Sequence, residues 1–71
     1  MPHHVVSDLV ANVLSIAVSA GDYVDVGAEI VLLESMKMEI PVLTEHAGTV
    51  VEVKVEVGDV VQEGDILAII A

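Results

Sequence analysis

The sequence predicts an all-β protein in which two four-stranded antiparallel sheets pack as a flattened eight-stranded barrel or sandwich. Valine, a residue that favours strands, is the commonest side chain, and Tyr23 is the single aromatic residue apart from histidine. Turn signals recur about every ten residues, with short apolar or alternating runs between them. Residues 13–34 also align with residues 50–71, so the chain contains an internal repeat. Two such units, each too small to bury its own apolar face, are expected to pack across a pseudo-two-fold axis.

The elements follow in order along a single expected domain, residues 1–71. Residues 1–6 are expected to be a flexible tail, at least in part. The segment Leu14–Ser19 alternates apolar and polar residues and predicts a strand, which a Gly-Asp turn follows. The strongest strand pattern is Val51–Val57, in which four valines are expected on one face and the charged side chains on the other.

Composition and charge exclude several classes of function. The net charge is −10, with two lysines and no arginine, which argues against a nucleic-acid partner because phosphate binding needs clustered basic residues. No cysteine is present, so disulfides and thiolate metal sites are excluded. The stretch from Leu9 to Gly21 has no charged residue, but a membrane-spanning helix needs about 20 apolar residues. The N-terminus does not resemble a secretory signal. We therefore expect a soluble, cytoplasmic protein that contacts no membrane.

The titratable side chains form no evident catalytic or metal-binding set. His3, His4 and Asp8 are close in sequence, but neighbours on an extended segment point apart, and an exposed, disordered terminus is the preferred interpretation. His46 lies in a predicted surface turn without a nucleophile to activate. The carboxylates are spread along the chain. We expect no catalytic residue and no metal site.

Lys37 is singular in position and in its neighbours. It lies between Met36 and Met38, at the junction of the two copies. The equivalent position in the repeat is where the C-terminus would meet the N-terminus, so Lys37 is expected at the tip of a connecting turn, opposite the chain ends. The second lysine, Lys54, lies mid-strand between acidic residues and is interpreted as a solvated cross-strand partner for carboxylates.

The segment Glu34-Ser35-Met36-Lys37-Met38-Glu39 resembles the Glu-Ala-Met-Lys-Met signature of the biotinyl/lipoyl attachment domains, the family of the biotin carboxyl carrier proteins. The resemblance extends over nearly the whole chain. It includes the Gly-Asp-x-Val-x-x-Gly turns at Gly21–Gly27 and Gly58–Gly64, and the Ala-Gly-Thr-Val run that opens the second copy.

The resemblance implies that biotin is attached covalently to the ε-amine of Lys37. It implies that Met36 and Met38 determine correct modification, and that Glu34 and Ser35 contact biotin protein ligase. The domain itself is then not an enzyme. It is expected to carry an activated carboxyl group between the biotin carboxylase and carboxyltransferase components of a biotin-dependent carboxylase, acting on an acyl-CoA or a keto acid.

Two other functions stay open. Lipoyl domains usually place their lysine in Asp-Lys-Ala, so Met-Lys-Met favours biotin, but a lipoyl or dual-specificity carrier of acyl groups is the alternative. A module that binds a protein through this hairpin and is never modified is the third. The chain also departs from the family where Ala11 replaces the glycine expected at the start of the first copy, at the position equivalent to Gly48. Either that turn needs no positive φ, or its shape differs. Without an inserted loop or a long linker, the chain is expected to be a free-standing minimal domain.

Overall fold

The computed structural model describes residues 2–71, and the regular structure of that part of the chain consists of eight β-strands. The strands are β1 (His3–Val6), β2 (Ala11–Ile16), β3 (Tyr23–Val24), β4 (Glu29–Ser35), β5 (Met38–Leu43), β6 (Gly48–Val53), β7 (Val60–Val61) and β8 (Ile66–Ile70). None of the described residues lies in a helix that could cross a membrane.

The strands form two four-stranded sheets, and every pairing is antiparallel. One sheet has the order β1-β8-β6-β3, and the other has the order β5-β4-β2-β7. When each strand is exchanged for its equivalent in the other copy, β1 for β5, β2 for β6, β3 for β7 and β4 for β8, one strand order becomes the other. This correspondence confirms the pseudo-two-fold arrangement. The two sheets are not hydrogen-bonded into a closed barrel within residues 2–71, so the architecture is a barrel-sandwich.

Each copy of the repeat completes the sheet of the other copy. Strand β3 belongs to the first copy but pairs with β6, and β7 belongs to the second copy but pairs with β2. The same exchange appears in the backbone hydrogen bonds, because the Gly21 N–H donates to Val50 O at 2.8 Å and the Gly58 N–H donates to Val13 O at 2.8 Å. The two halves are therefore joined through backbone pairing as well as through their shared core.

The core consists of inward-facing aliphatic side chains from both sheets, with no aromatic residue among its buried members. The largest fully buried side chains come from the central strands of the sheets and from β7: Val13, Ile30, Val31, Leu33, Val50, Val61, Leu67 and Ile70. Burying one such side chain contributes about 1.5–3 kcal/mol, so this cluster is the main source of stability in a chain without disulfides.

Two buried hydroxyl groups occupy equivalent positions in the repeat. Ser7 Oγ donates to Leu9 O at 2.6 Å, and Thr44 Oγ1 donates to His46 O at 2.7 Å. Both residues are almost completely buried, and neither hydroxyl lacks a partner. Each hydroxyl satisfies a backbone carbonyl of the chain that leaves an edge strand, which fixes the path from β1 to β2 and from β5 to β6.

The interpretation of residues 1–6 as a flexible tail is wrong for residues 3–6. These residues form β1, which pairs with β8, and Val5 is buried in the core. The repeat explains the error, because β1 is the equivalent of β5. Without β1, the sheet β1-β8-β6-β3 would lack an outer strand. Met1, which the same interpretation included, lies outside the described residues.

The expected strand Val51–Val57 is also wrong in its extent, and its expected facing holds for Val53 and Val55 but not for Val51 and Val57. Strand β6 ends at Val53, and its pairing with β8 shifts register between Val50 and Glu52. This bulge leaves Val51 as the extra residue, so Val51 and Glu52 are both exposed, while Val50 is buried and Val53 is half-buried.

The expected strand Leu14–Ser19 is also too long, because β2 ends at Ile16 and shifts register between Val13 and Ser15. Its expected alternation is confirmed, because Leu14, Ile16 and Val18 are half-buried while the residues between them are exposed.

Ala11 and Gly48 occupy equivalent positions but differ in what surrounds them. Gly48 has φ +156°, and a Cβ atom there would collide with the Ala71 carbonyl oxygen. Ala11 is not among the residues with positive φ, so the first turn needs no glycine. Ala71 exchanges backbone hydrogen bonds of 2.8 and 2.9 Å with Thr49 and lies against Gly48.

We expect Gly48→Ala to lower the free energy of unfolding by about 2 kcal/mol, because the new methyl group displaces Ala71 and strains the backbone. Urea denaturation measures the change. Gly64→Ala is the matched control. Its φ is also positive, at +91°, but apart from its chain neighbours no atom of residues 2–71 lies within 4 Å of the added atom, so it is expected to cost about 1 kcal/mol. Equal losses in the two variants would contradict the role of the Ala71 contact.

Candidate functional site

The hairpin between β4 and β5 carries the lysine that the sequence singles out. Ser35 pairs with Met38, so the loop consists of two residues, Met36 and Lys37. Both have positive φ, 52° and 65° respectively, as in a type I′ turn. This turn has the twist that suits a two-residue hairpin, and it places Lys37 at the outermost point of the sheet. The expectation that Lys37 lies at the tip of the connecting turn is confirmed.

The turn is held in a backbone conformation that neither of its residues favours. A type I′ turn is usually built from Asn-Gly, because a side chain with a Cβ at positive φ costs roughly 1–2 kcal/mol. Met36 and Lys37 are the only non-glycine residues with positive φ within residues 2–71. The pairing of β4 with β5 along the whole hairpin stabilises this conformation. Strain of this kind is often found at functional sites.

The side chains on either side of the lysine are apolar and unusually exposed. Met36 is 93% exposed and Met38 is 65% exposed. Neither contributes to the core, as a methionine that fills a gap between buried side chains would. A lysine between two flexible apolar side chains is well suited to contact with another protein.

The two lysines have different electrostatic surroundings. Within residues 2–71 the one lysine ion pair is Lys54 Nζ with Glu52 Oε1, at 3.5 Å. Its partner lies two residues earlier in the chain, so Lys54 is not the cross-strand partner that the sequence suggested. The Lys37 side chain is exposed, and no described carboxylate pairs with its ε-amine. That amine is therefore available to a reagent or an enzyme.

Negative charge lies immediately behind the turn. Glu34 is paired with Glu39 across the hairpin, one residue pair below Ser35 and Met38. Two like charges directly opposite each other destabilise a sheet, so the fold itself does not account for this pair. The expected site residues Glu34, Ser35, Met36, Lys37 and Met38 are thus brought together on one hairpin, with Glu39 beside them.

Sequence analysis missed a group of residues beside the turn. The start of β2 and strand β7 come next to the hairpin, and a shallow depression there is lined by Val10, Asn12 and Val60 together with Met36 and Lys37. These residues are far apart in sequence. Comparison of the two copies of the repeat could have indicated them, because the copies differ at these positions. The equivalents of Val10, Asn12 and Val60 are Ala47, Thr49 and Tyr23.

The histidines lie away from the lysine. The His3 ring stacks on the His46 ring, with centroids 3.6 Å apart and planes 9° apart. His4 follows on the same strand and is exposed, as is His46. Within residues 2–71, no three His, Asp or Glu side chains are arranged to hold a metal ion. Partial burial and the proximity of His46 lower the pKa of His3 below its ordinary value of 6.5.

Asp22 and Asp59 are structural residues of equivalent turns. The Asp22 carboxylate accepts a hydrogen bond from the Ser19 N–H at 2.8 Å, and Asp59 accepts one from the Glu56 N–H at 2.9 Å. Both bonds close a turn that leads into an exchanged strand. These carboxylates are therefore assigned to the fold rather than to the site.

Comparison with protein families gives one match over almost the entire chain. The biotin/lipoyl family, described as "Biotin-requiring enzyme", matches residues 2–70. The match includes the hairpin with Lys37 and both copies of the repeat.

Known proteins of similar length and larger enzymes are both similar to this chain. A protein of Mycobacterium leprae named "Biotinylated protein TB7.3 homolog" is 54% identical over 71 residues, which is 100% of each chain. The "Biotin/lipoyl attachment protein" of Bacillus subtilis is 48% identical over 59 residues, 83% of this chain and 81% of that one. Among solved structures, Kluyveromyces lactis urea carboxylase matches with a TM-score of 0.94 and 27% identity, over 100% of this chain and 6% of its own.

We expect Met36→Asn to raise the free energy of unfolding by about 0.5–1 kcal/mol, because asparagine adopts positive φ more readily than methionine does. Urea denaturation at neutral pH measures the gain. Met38→Asn is the control, because Met38 lies in β5 without positive φ and asparagine is a poor strand residue. A higher free energy of unfolding in the Met38 variant, with no increase in the Met36 variant, would contradict the assignment of backbone strain to Met36.

We expect the stability of the protein to depend on pH through His3. Because its folded-state pKa lies below the unfolded value of 6.5, the folded state binds fewer protons there. The contribution of His3 is therefore complete above the unfolded value and is lost as the pH falls through the lowered pKa. Urea denaturation at several pH values should show a weaker dependence in His3→Gln. The exposed neighbour His4 provides the control, and an unchanged dependence in His3→Gln with a reduced one in His4→Gln would overturn the assignment.

Proposed function

The chain belongs to the biotin/lipoyl attachment family, and on that premise we propose that it is a biotin carrier whose attachment point is Lys37. The observation that supports this most directly is the presentation of Lys37. Its side chain stands exposed at the tip of a strained two-residue turn, between two exposed methionines, and without a carboxylate partner among residues 2–71.

The residues of the hairpin fit a covalently held acyl group. An amide between Lys37 Nζ and the carboxyl group of biotin needs an accessible amine in its uncharged, nucleophilic form. The exposed tip gives that access from solution. Forming the amide displaces the activating group of the incoming carboxyl, releases the amine proton, and removes the positive charge of Lys37. When bound, biotin supplies the ring that accepts and donates a carboxyl group.

The other hairpin residues are proposed to act in recognition. Met36 and Met38 offer apolar contacts to biotin protein ligase on both sides of the amine. Glu34 and Ser35 lie on β4 directly before the turn, and Glu39 is opposite Glu34. The paired carboxylates, in a chain of net charge −10, favour a partner with a basic surface around its active site.

The carrier itself is proposed to be non-catalytic and to serve a carboxylase. The urea carboxylase structure contains a region of the same fold within a much longer chain. By analogy, partner proteins would supply the biotin carboxylase and carboxyltransferase active sites, and this domain would move the group between them. The lysine stem and the biotin side chain give an arm of about 12–15 Å, so the encounter becomes intramolecular.

One alternative has a specific observation in its favour. The Bacillus subtilis relative is named for both biotin and lipoate, so lipoyl attachment at Lys37 is the second candidate. The amine, the turn and its exposure suit either acyl group. An unmodified hairpin that binds a partner protein is the remaining hypothesis.

Co-expression with a biotin ligase is expected to add one biotinyl group to the protein, as measured by intact mass. Lys37→Arg is expected to abolish the increment, since a guanidinium group keeps its charge and does not form the amide. Lys54→Arg is the matched control and should be modified as fully as the original chain.

Three results would contradict the proposal in different ways. A biotinyl group that persists in the folded Lys37→Arg variant would refute the attachment point. A lipoyl increment instead of a biotinyl one would identify an acyl carrier. No increment in a folded sample with an active ligase would favour the unmodified module.

A further inference from the structure

The sulfur atoms of residues 2–71 are confined to the two positions that flank Lys37. The chain has three methionines and no cysteine, and Met1 lies outside the described residues. The hydrophobic core contains valine, isoleucine, leucine and alanine side chains, although methionine is well suited to filling gaps in a core. Met36 and Met38 therefore place the thioether groups of this part of the chain beside the lysine amine and away from the core.

Both thioethers are open to reagents in solution. Met36 is 93% exposed and Met38 is 65% exposed. Neither sulfur takes part in a side-chain hydrogen bond within residues 2–71. An uncharged oxidant such as hydrogen peroxide is not repelled by the net charge of −10. The two sulfur atoms are thus accessible to oxidation by peroxide in the folded protein.

The reaction converts each thioether into a sulfoxide. A lone pair of the sulfur attacks one oxygen of hydrogen peroxide, an S–O bond forms, and the O–O bond breaks. The departing hydroxide takes the proton of the transferred oxygen and leaves as water. The sulfur loses two electrons and the peroxide gains them, so one peroxide molecule is consumed for each sulfoxide formed.

Sulfoxides at these positions change the surface of the hairpin and leave the core as it is. Oxidation of a methionine in a packed core disrupts the packing, because the side chain becomes polar. Met36 and Met38 make no contribution to the core, so the folding equilibrium is expected to be unaffected. At the hairpin, however, the two apolar side chains on either side of Lys37 become polar. Their oxygen atoms must lose water in any apolar contact, which opposes binding.

We propose that Met36 and Met38 are sites of reversible oxidation by peroxide, and that the sulfoxide form of the hairpin is a poor substrate for the enzyme that modifies Lys37. This inference rests on the function proposed above. With both sulfur atoms reduced, the hairpin offers its apolar contacts and Lys37 is biotinylated. With the sulfoxides present, the lysine amine and the fold are unchanged, but the contacts on both sides of the amine are lost.

The exposure of the hairpin also allows the reverse reaction. Methionine sulfoxide reductases return the side chain to the thioether, with one class of enzyme for each sulfoxide epimer. Two thiol groups supply the two electrons and become a disulfide, and the sulfoxide oxygen leaves as water. Both side chains lie at or directly beside the tip of the turn, so these enzymes can reach them without unfolding of the domain.

Peroxide treatment of the unmodified protein tests the proposal, and catalase removes the excess oxidant before ligase is added. Peptide mapping by mass spectrometry is expected to find one added oxygen at Met36 and one at Met38, with Met36 reacting faster. Urea denaturation should give the same midpoint before and after treatment. Biotin protein ligase is then expected to modify the treated sample with a kcat/KM at least about tenfold lower. Unmodified protein is used because biotin has a thioether of its own.

The matched control is Met36→Leu/Met38→Leu, because leucine keeps an apolar side chain of similar size but has no sulfur. Its own rate before treatment is the reference, and peroxide should not change that rate. The single variants Met36→Leu and Met38→Leu assign the loss to one sulfur or to both. Incubation of the oxidised original chain with reductases of both classes and dithiothreitol is expected to restore its rate.

The outcomes separate this inference from the function on which it rests. An untreated sample that an active ligase does not modify would defeat the proposed function and this inference with it. Normal modification of the untreated sample, with an equal rate after both methionines are oxidised, would overturn the inference and leave the carrier function intact. Resistance of both methionines to peroxide that oxidises free methionine would overturn it as well, as would an equal loss of rate in the leucine double variant.

Discussion

The structure depends on the exchange of two short strands between the copies of the repeat. Strands β3 and β7 contain two residues each, yet each completes the sheet that is otherwise built by the opposite copy. Neither copy can complete a four-stranded sheet from its own strands, so the two copies must assemble together. The surroundings of Lys37 follow from this constraint, because Val60 on β7 reaches the position beside Asn12 only through the exchange.

The turn that presents Lys37 shows a conflict between local preference and the rest of the fold. An Asn-Gly pair would adopt the type I′ conformation with less strain, but it would replace a methionine and the lysine amine. Similarly, Glu34 opposite Glu39 weakens the hairpin while concentrating negative charge below its tip. Both features lower local stability at the place where contact with other proteins is proposed, and the aliphatic core offsets the loss.

The sequence predicted the architecture because its strongest signals are local or repeated. The Gly-Asp turns mark where exchanged strands begin, and the repeat implies the symmetry. The bulges at Leu14 and Val51 could not be foreseen, because they depend on cross-strand register, and alternation alone suggests an unbroken strand. Strand β1 was missed because His3–Val6 has no turn before it and acquires its strand character by pairing with β8. Lys37 was identified by its neighbours in sequence, whereas Asn12 and Val60 approach it only through tertiary pairing.

The placement of the chain end has a consequence for how the lysine samples space. The molecule measures 32 × 18 × 17 Å, and the seven residues of β4 alone extend about 20 Å, so the long axis follows the strands. Ala71 bonds to Thr49, just beyond the connection that leaves β5 at the end away from the turn. The end of the molecule that contains Ala71 and the end that presents Lys37 are therefore opposite. If the protein is held through Ala71, a group attached to Lys37 as proposed would reach points up to roughly 45 Å from the anchor.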